Sequence, residues 1–519
     1  MRKDTKKIDM IIIAVLLVIA VLIFYDVFLR KNSAISDEGV EAEITLESYN
    51  GKKMGTLAGS QFEGDIKEHF PDSEILYYTG APELYAALRS GKIDAFAMSE
   101  VTMMQMARQH LDVIWLPEIL NTRYRYFGFA KTSKGEKLCE QMDIMIAEFN
   151  ADGTMRKLED IWYGDDESLK VVDTSGLTGE NGVIEVGVSS KDEPYNYIRN
   201  NEQTGFNIDI ITRFAKRYGY KIEYTNTEPQ GLLLGLTTGK FDMLATALSY
   251  SEERAQTILF SNPAMCYNSV LAVRANGVSD GKEGSEVRSG VFERFKESFE
   301  KNFIREERWK LIAKGIGTTC LITFMATIFG SVLAFGICMF RRTGSALANA
   351  ISTVFVRIMQ GTPIVVILLI LYYVVFNNYG LEAVWVAVVG FSLHFGAYTS
   401  ETLMSGIAGV PAGQREAALA LGYTENQTFF YFVLPQAIKR VIPVYRGEVI
   451  ALLKGTAVAG YITVEDLTKV SDIIQSRTYE AFFPLIAAAI IYFLLSGMIS
   501  ILLLGLFNLF DPRKKKGRA

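Results

Sequence analysis

GVPAGQREAALALGYTENQTFFYFVLPQAIKR, residues 409–440, is the stretch whose reading decides the fold. Its helical signals stop at Gly422, resume through an aromatic run, and stop again at Leu434-Pro435. The spacing predicts two short helices joined by a glycine turn. Small residues at 417, 418 and 420 leave room for a partner to approach closely.

Outward from this loop, the apolar residues gather into runs. Runs at about 312–340, 351–377, 384–408, 440–462 and 482–509 are each long enough to cross a bilayer. A further run at about 9–25 follows MRKDTKK and brings the expected spans to six. It reads as an uncleaved anchor, with a cleaved signal peptide as the competing reading; Arg30 and Lys31 follow it without an A-x-A site. Positive charge orients the set. Arg2, Lys3, Lys6 and Lys7 place the start inside, as do Arg341 and Arg342 for the next inside loop. Arg513, Lys514, Lys515, Lys516 and Arg518 then place the end inside. The loop 409–439 lies inside, and the long polar segment after the anchor lies outside.

Composition agrees with a mixed molecule. The chain has 519 residues, which suggests roughly three or four domains. A mean hydropathy of +0.17 beside 21% charged residues fits a soluble part joined to a membrane part and not one uniform class. A net charge of -5 argues against a nucleic-acid partner. Four cysteines without a CxxC pair exclude a disulfide scaffold and a zinc ribbon, and His69, His110 and His394 are too scattered to build a metal site. Cys139 and Cys266 are the only outside cysteines, and residue type alone does not decide whether they pair.

The outside segment, 41–275, alternates apolar strands with helical stretches, the pattern of an α/β fold. Residues 275–290 are rich in Gly, Ser and charge and read as a tether. Phe292, Phe295, Phe299 and Phe303 then recur at helical spacing. They mark either an amphipathic helix at the outer interface or an extension of the first core span. Arg254 follows a strand and a run of hydroxyl residues, and its planar fork suits a carboxylate. The competing reading pairs it with Glu252 or Glu253.

The inside loop resembles the EAA loop of type I ABC importer permeases, E-A-A-x-x-x-G followed by Leu-Pro. By that resemblance Glu416, Ala417, Ala418 and Gly422 couple to an ATPase. RIMQGTPIVV (357–366) and GAYTSETLMSGI (396–407) resemble two segments of the polar amino-acid permease branch, with Gln360 and Ser405 where the branch usually has arginine. Glu401 reads as a carboxylate at membrane depth, either lining the translocation path or making a structural hydrogen bond. No G-x-x-x-x-G-K-[ST] loop occurs, since in GLLLGLTTGKF (231–241) the first glycine is misplaced and Phe follows the Lys. The resemblance therefore implies a separate ABC ATPase dimer that docks on the EAA loop and uses ATP and Mg. This chain would bind no cofactor, hold no metal and be no enzyme. One set of five core spans is half a pore, so the resemblance also implies a homodimer.

The outside segment resembles a polar amino-acid periplasmic binding protein, with its halves in reversed order. GFNIDIITRFAKRYGY (205–220) and GKFDMLATALSYSEERAQTILFSNPA (239–264) resemble the family's first half. YNGKKMGTLAGSQFEGDI (49–66) and NADGTMRKLEDIW (150–162) resemble its second-half turn and its closing helix. The resemblance implies that Arg254 binds the ligand α-carboxylate, with Ser249, Thr246 and Ala247 adding backbone and hydroxyl contacts. Ser60 and Gln61 share that carboxylate, Leu57 forms a wall, Tyr195 or Tyr197 lies near the pocket, and Gln230 completes the ligand set. The family places an Asp where this chain has Ser99, so either Glu100 or Asp192 would hold the ligand ammonium instead, or the ligand is not an ordinary α-amino acid. Asp192 reads equally as a solvated turn residue. Two truncated domains or one circularly permuted domain would both give the reversed order; the lengths of the pieces favour permutation, with 163–181 joining the original ends.

The expected architecture is thus multi-domain: a two-lobed α/β domain of the periplasmic-binding-protein type II kind, an all-α type I importer transmembrane domain, and an N-terminal anchor helix. Its expected parts are a start, anchor and linker at 1–40, and an extracellular domain at 41–275 with lobe 2 at about 45–125 and lobe 1 at about 126–275. A tether and juxtamembrane helix follow at 276–310, and the permease at 311–519. The expected function is membrane-bound import of a small polar solute, an amino acid by resemblance. A fused receptor on an anchor suits the plasma membrane of a Gram-positive cell. A ligand-gated channel or a membrane sensor could use the same binding fold. The first predicts a pore-filter loop and the second a cytoplasmic signalling segment, and neither pattern is present.

Overall fold

The computed structural model describes residues 45–57, 60–109, 112–200, 202–246, 248–275, 291–478, 480 and 482–509. The expected anchor, nearly all of the tether and the basic C-terminal tail lie outside the described residues. The chain forms two compact units. One comprises Met1–Arg123, Tyr267–Arg308 and Thr478–Leu485; the other comprises Tyr124–Cys266, Trp309–Arg477 and Ile486–Ala519.

The first unit contains a five-stranded sheet of order β2-β1-β3-β13-β4, with β1 Lys53–Leu57, β2 Glu74–Tyr78, β3 Ala95–Ser99, β4 Val113–Arg125 and β13 Met265–Arg274. Strand β1 pairs in parallel with β2 and β3. The helices α1 Phe62–His69, α2 Ala81–Arg89 and α3 Glu100–Gln109 alternate with these strands. Strand β3 is buried along its whole length because both faces of the sheet are covered. Ala95 and Ala97 join Met54, Ile66 and Phe70, while Phe96 and Met98 join Leu84, Leu88 and Met103. Strand β13 runs antiparallel to β3, from Ser269 opposite Ser99 to Val273 opposite Ala95. This corrects the lobe boundary expected from sequence. Most of β13, assigned to the lobe at 126–275, completes the other lobe's sheet, because its pairing partner lies about 170 residues away and leaves no local signal.

The helix α9 Val291–Phe299 continues through a π turn, Glu300–Ile304. Phe299 stacks on Phe303 at 4.9 Å, and Phe295 and Phe303 both meet Phe483. Glu306 and Glu307 adopt positive φ, 54° and 53°, which breaks the helical path before Arg308. The phenylalanine helix is therefore not a smooth extension of the first core span.

The second unit holds a sheet of order β10-β6-β11-β5-β12. Its strands are β5 Gly128–Ala130, β6 Val183–Val188, β10 Lys221–Asn226, β11 Met243–Leu244 and β12 Ile258–Phe260. A small sheet of β7 Lys191–Asp192, β8 Asn196–Arg199 and β9 Glu202–Thr204 accompanies it. Its helices are α4 Ser133–Ala151, α5 Thr154–Tyr163, α6 Phe206–Tyr218, α7 Pro229–Thr237 and α8 Glu252–Ala255. Trp162, at the end of α5, is fully buried and donates its indole N–H to Asp209 of α6 at 3.0 Å. The family-like closing helix thus packs on a helix that follows it in sequence.

The same unit contains the helices of the apolar half: α10 Arg308–Arg342, α11 Ala346–Gly361, α12 Ile364–Ile370, α13 Ala383–Ala408, α14 Ala412–Ala420, α15 Glu425–Thr428, α16 Leu434–Gly455 and α17 Leu467–Thr478, with α18 Phe482–Leu509 reaching into it. Among the described residues, three helices are long and apolar enough to cross a membrane. Counting each of two bent pairs as one span brings the total to five. One pair bends by 106° at Thr362-Pro363, where Pro removes a helical hydrogen bond. Helices α10 and α13 cross backbone to backbone. A Cβ at Gly330 would lie 2.9 Å from the Ser392 carbonyl oxygen, and one at Gly396 would lie 3.0 Å from that of Gly330.

Candidate solute-binding and transport sites

Arg254 sits in the single turn α8, whose start is capped by the Ser251 hydroxyl accepting from the Arg254 amide at 3.2 Å. Its guanidinium Nη1 donates to the Ser249 carbonyl at 3.3 Å. Neither Glu252 nor Glu253 pairs with it, and no other carboxylate does among the described residues. The surface ion pair considered from sequence is absent. The Thr246 hydroxyl accepts from the Ser189 amide at 3.4 Å, tying this segment to the end of β6. Tyr250 is 54% exposed and rests on Tyr126 and Phe260. Ala247 lies outside the described residues. Gln230 lies in α7, its side chain outside what is described.

Asp192 stands at a turn, its carbonyl accepting from the Tyr195 amide at 2.8 Å, and its side chain is 37% exposed. It ends β7, and Arg125 Nη1 lies 3.4 Å from its Oδ2. The same guanidinium lies 4.4 Å over the Tyr195 ring. Tyr195 and Tyr197 correct the sequence reading. Both rings are fully buried, Tyr195 against Tyr163 and Phe206 and Tyr197 against Trp162, so neither offers a face to solute.

In the first unit, Leu57 ends β1 and its carbonyl accepts from the Ser60 amide at 3.1 Å. The Ser60 hydroxyl lies 3.3 Å from that of Thr56. Gln61 leads directly into α1, and its carbonyl accepts from the Gly64 amide at 3.0 Å as the first turn forms. Ser99 is a correction. It is fully buried, and its hydroxyl caps α3 by accepting from the Thr102 amide at 3.2 Å, with the Thr102 hydroxyl 2.8 Å away. Glu100 accepts from the Asn268 amide group at 2.9 Å. Asp94 accepts from the Lys53 amide at 3.0 Å, a structural role.

Cys139 and Cys266 are free thiols. Burial pushes the Cys139 thiol up to about 12, and it donates to the Phe260 carbonyl.

In the apolar half, Glu401 is paired. Its carboxylate meets Arg341, next to the last residue of α10, at 2.6 Å, and is half exposed. The charge is thus paired near the C-terminal end of α10. Glu448 of α16 went unremarked in the sequence. It accepts from the Thr399 hydroxyl at 2.7 Å and from that of Thr402, both on α13. The signal available was a carboxylate inside an apolar run; its hydroxyl partners are almost fifty residues away.

The loop 409–439 folds as α14, a turn and α15. Gly422 makes that turn at φ +88°, a conformation costly for any side chain. Thr424 and Gln427 form a capping box, and Arg415 grips Glu425 across the turn. Glu416 and Ala417 are exposed, whereas Ala418 packs inward and offers no contact. Pro435 does not stop the helical path. It occupies the first turn of α16, where its missing N–H costs nothing, after a π turn at Phe429–Val433.

Comparison with known proteins fits this geometry. Residues 184–364 match the family of bacterial extracellular solute-binding proteins, family 3. Residues 326–516 match the family of binding-protein-dependent transport system inner membrane components. A probable amino-acid ABC transporter permease of Bacillus subtilis (strain 168) is 35% identical over 197 residues, covering 38% of this chain and 87% of the relative. The chain belongs to the amino-acid ABC importer permeases. An L-cystine transport system permease of the same organism is 32% identical, covering 38% of this chain and 86% of that relative. The crystal structure of an amino acid ABC transporter with histidines shares 33% identity, covering 39% of this chain and 94% of its own, with a TM-score of 0.36. The importer permease thus carries a solute-binding domain fused to its membrane domain.

Proposed function

We propose that this importer permease captures an α-amino acid or a close derivative with its fused external domain and passes it inward at the expense of ATP. A separate ABC ATPase dimer binds the loop 409–439 and hydrolyses the ATP with Mg, and two copies of this chain complete the pore at the plasma membrane. The external domain is one circularly permuted receptor. Its support is the path of the chain, which leaves the first unit after Arg123 and returns at Tyr267, and the burial of Trp162 against α6.

The observation that carries the solute class is Arg254. Its fork is steadied by the Ser249 carbonyl and engaged by no carboxylate among the described residues, which suits a ligand carboxylate. Ser249, Thr246 and Ala247 join the ligand set by the family resemblance. Ser60, Gln61 and Leu57 are assigned to the ligand by that resemblance alone. Asp192 is the candidate for the ammonium, because a ligand cation competes with Arg125 for it at a long 3.4 Å pair. Glu416, Ala417 and the Gly422 turn carry the ATPase contact.

The test is equilibrium binding of each common amino acid to the full chain in lipid nanodiscs. One polar amino acid should bind, and Arg254→Ala should weaken it by about a hundredfold, in line with loss of a charge-assisted pair. Binding unchanged in Arg254→Ala would overturn the assignment.

A further inference from the structure

The receptor lobe that carries Arg254 and the membrane helices share more than a covalent link. Lys469, on α17, is 1% exposed, and its ammonium donates at 2.6 Å to Glu228, which precedes α7 of the receptor lobe. Lys191 of β7 donates to both oxygens of Glu228, at 3.0 and 3.1 Å, and to Asp472 of α17 at 3.1 Å. Glu193 of the receptor lobe pairs with Arg477 at the end of α17, both side chains 9% exposed, and the Arg477 guanidinium lies 4.5 Å over the Tyr197 ring. Between these pairs, Ile198 of β8 packs into one apolar cluster with Leu311, Val470, Ile473 and Ile474. The Thr227 hydroxyl lies 3.4 Å from that of Tyr373 and 3.5 Å from the Tyr461 carbonyl.

A contact made and broken in every cycle keeps its charges at a wet rim, where they steer encounter and are cheap to release. Here three cations and three anions balance and lie largely covered, around an apolar centre of the kind found in permanent interfaces. A covered lysine whose carboxylate partner belongs to the receptor lobe would be stripped of it at every undocking.

We infer that the Arg254 lobe is a fixed part of the permease, held by the pairs Glu228–Lys469, Lys191–Asp472 and Glu193–Arg477. It stays docked throughout the transport cycle, and α17 is the element through which the state of the solute site reaches the pore. Tyr197, read from sequence as a pocket residue, belongs to this junction. The inference rests on the importer reading only for its second half.

The experiment is a crosslink in the full chain. Cys139, Cys266, Cys320 and Cys338 are first replaced by serine, and Thr227→Cys is combined with Tyr461→Cys. In native membranes the pair should crosslink to the same extent with and without the bound amino acid, and the crosslinked chain, joined by its ATPase, should still import. A crosslink that forms in only one solute state, or that abolishes import reversibly with reductant, would overturn the fixed lobe. The crosslink yield is read without any transport, so its failure is distinct from a failure of the importer reading. As a second measurement, Lys469→Met should leave solute affinity within about twofold and lower solute-stimulated ATP hydrolysis by about tenfold or more, and Glu228→Lys with Lys469→Glu should recover part of it. Unchanged stimulation in Lys469→Met would overturn the role of α17.

Discussion

Arg254 shows what a single residue can disclose. Its position after a strand end and a run of hydroxyls was legible, because both the cap at Ser251 and the anchor at Ser249 lie within five residues. Asp192, Tyr195 and Glu401 were not legible in the same way. Their surroundings come from Arg125, Tyr163 and Arg341, each brought near by the fold and not by the chain. Ser99 is subtler: its cap of α3 is local, but a serine before a helix start and a serine facing a ligand leave the same letters. Because a planar fork and not merely a charge is asked of residue 254, Arg254→Lys should bind solute nearly as poorly as Arg254→Ala, as titration calorimetry will show. A local cap offers a control. Thr132 accepts from the Gly135 amide at 3.1 Å, so Thr132→Ala should cost about 1 kcal/mol of stability without touching solute affinity, read from denaturant midpoints.

Among the elements, the inside loop was the most readable and the small sheet β7-β8-β9 the least. Gly422, the capping residues and Pro435 announce their turns through their own chemistry, although Pro435 starts a helix where it was expected to end one. Gly422→Val forces a β-branched side chain to φ +88° and should cost roughly 1–2 kcal/mol locally. Solute binding should persist while solute-stimulated ATP hydrolysis falls; equal loss of both would show that the loop does more than couple. At the junction with the receptor lobe, burial alone would raise the Glu228 carboxyl, but Lys469 and Lys191 outweigh it and hold the group below its ordinary value. A depressed carboxylate stabilises the docked form above its unperturbed pKa, and the contribution is lost as pH falls through the lowered one. The stability difference between the parent chain and Glu228→Gln should therefore hold from neutral pH down to about 5 and shrink only below about 4, read from melting temperatures. A decline between pH 8 and 6 would contradict the pairing.

At the scale of the whole molecule, the division into receptor and permease was plain from hydropathy and charge, since a bilayer imposes a length and a sidedness on the sequence. The edges of the receptor lobes were not, because strand β13 pairs with β3 far away in the chain. Permutation makes a direct prediction. If residues 163–181 merely join two original ends, cutting there removes nothing that holds the lobe, because α5 is fixed to α6 through Trp162 and Asp209. A protease site placed at Gly176, followed by cleavage, should leave solute affinity within about twofold, since the original ends need no covalent join. Dissociation of the fragments would contradict permutation. The central claim, ATP-driven import by a fused receptor and permease, is tested most directly by following the bound amino acid into cells that produce this chain with an ABC ATPase partner. The account predicts accumulation against a gradient that collapses on ATP depletion and is absent with Arg254→Ala. Flux that only equalises the two sides and ignores ATP would contradict it and mark the chain as a channel.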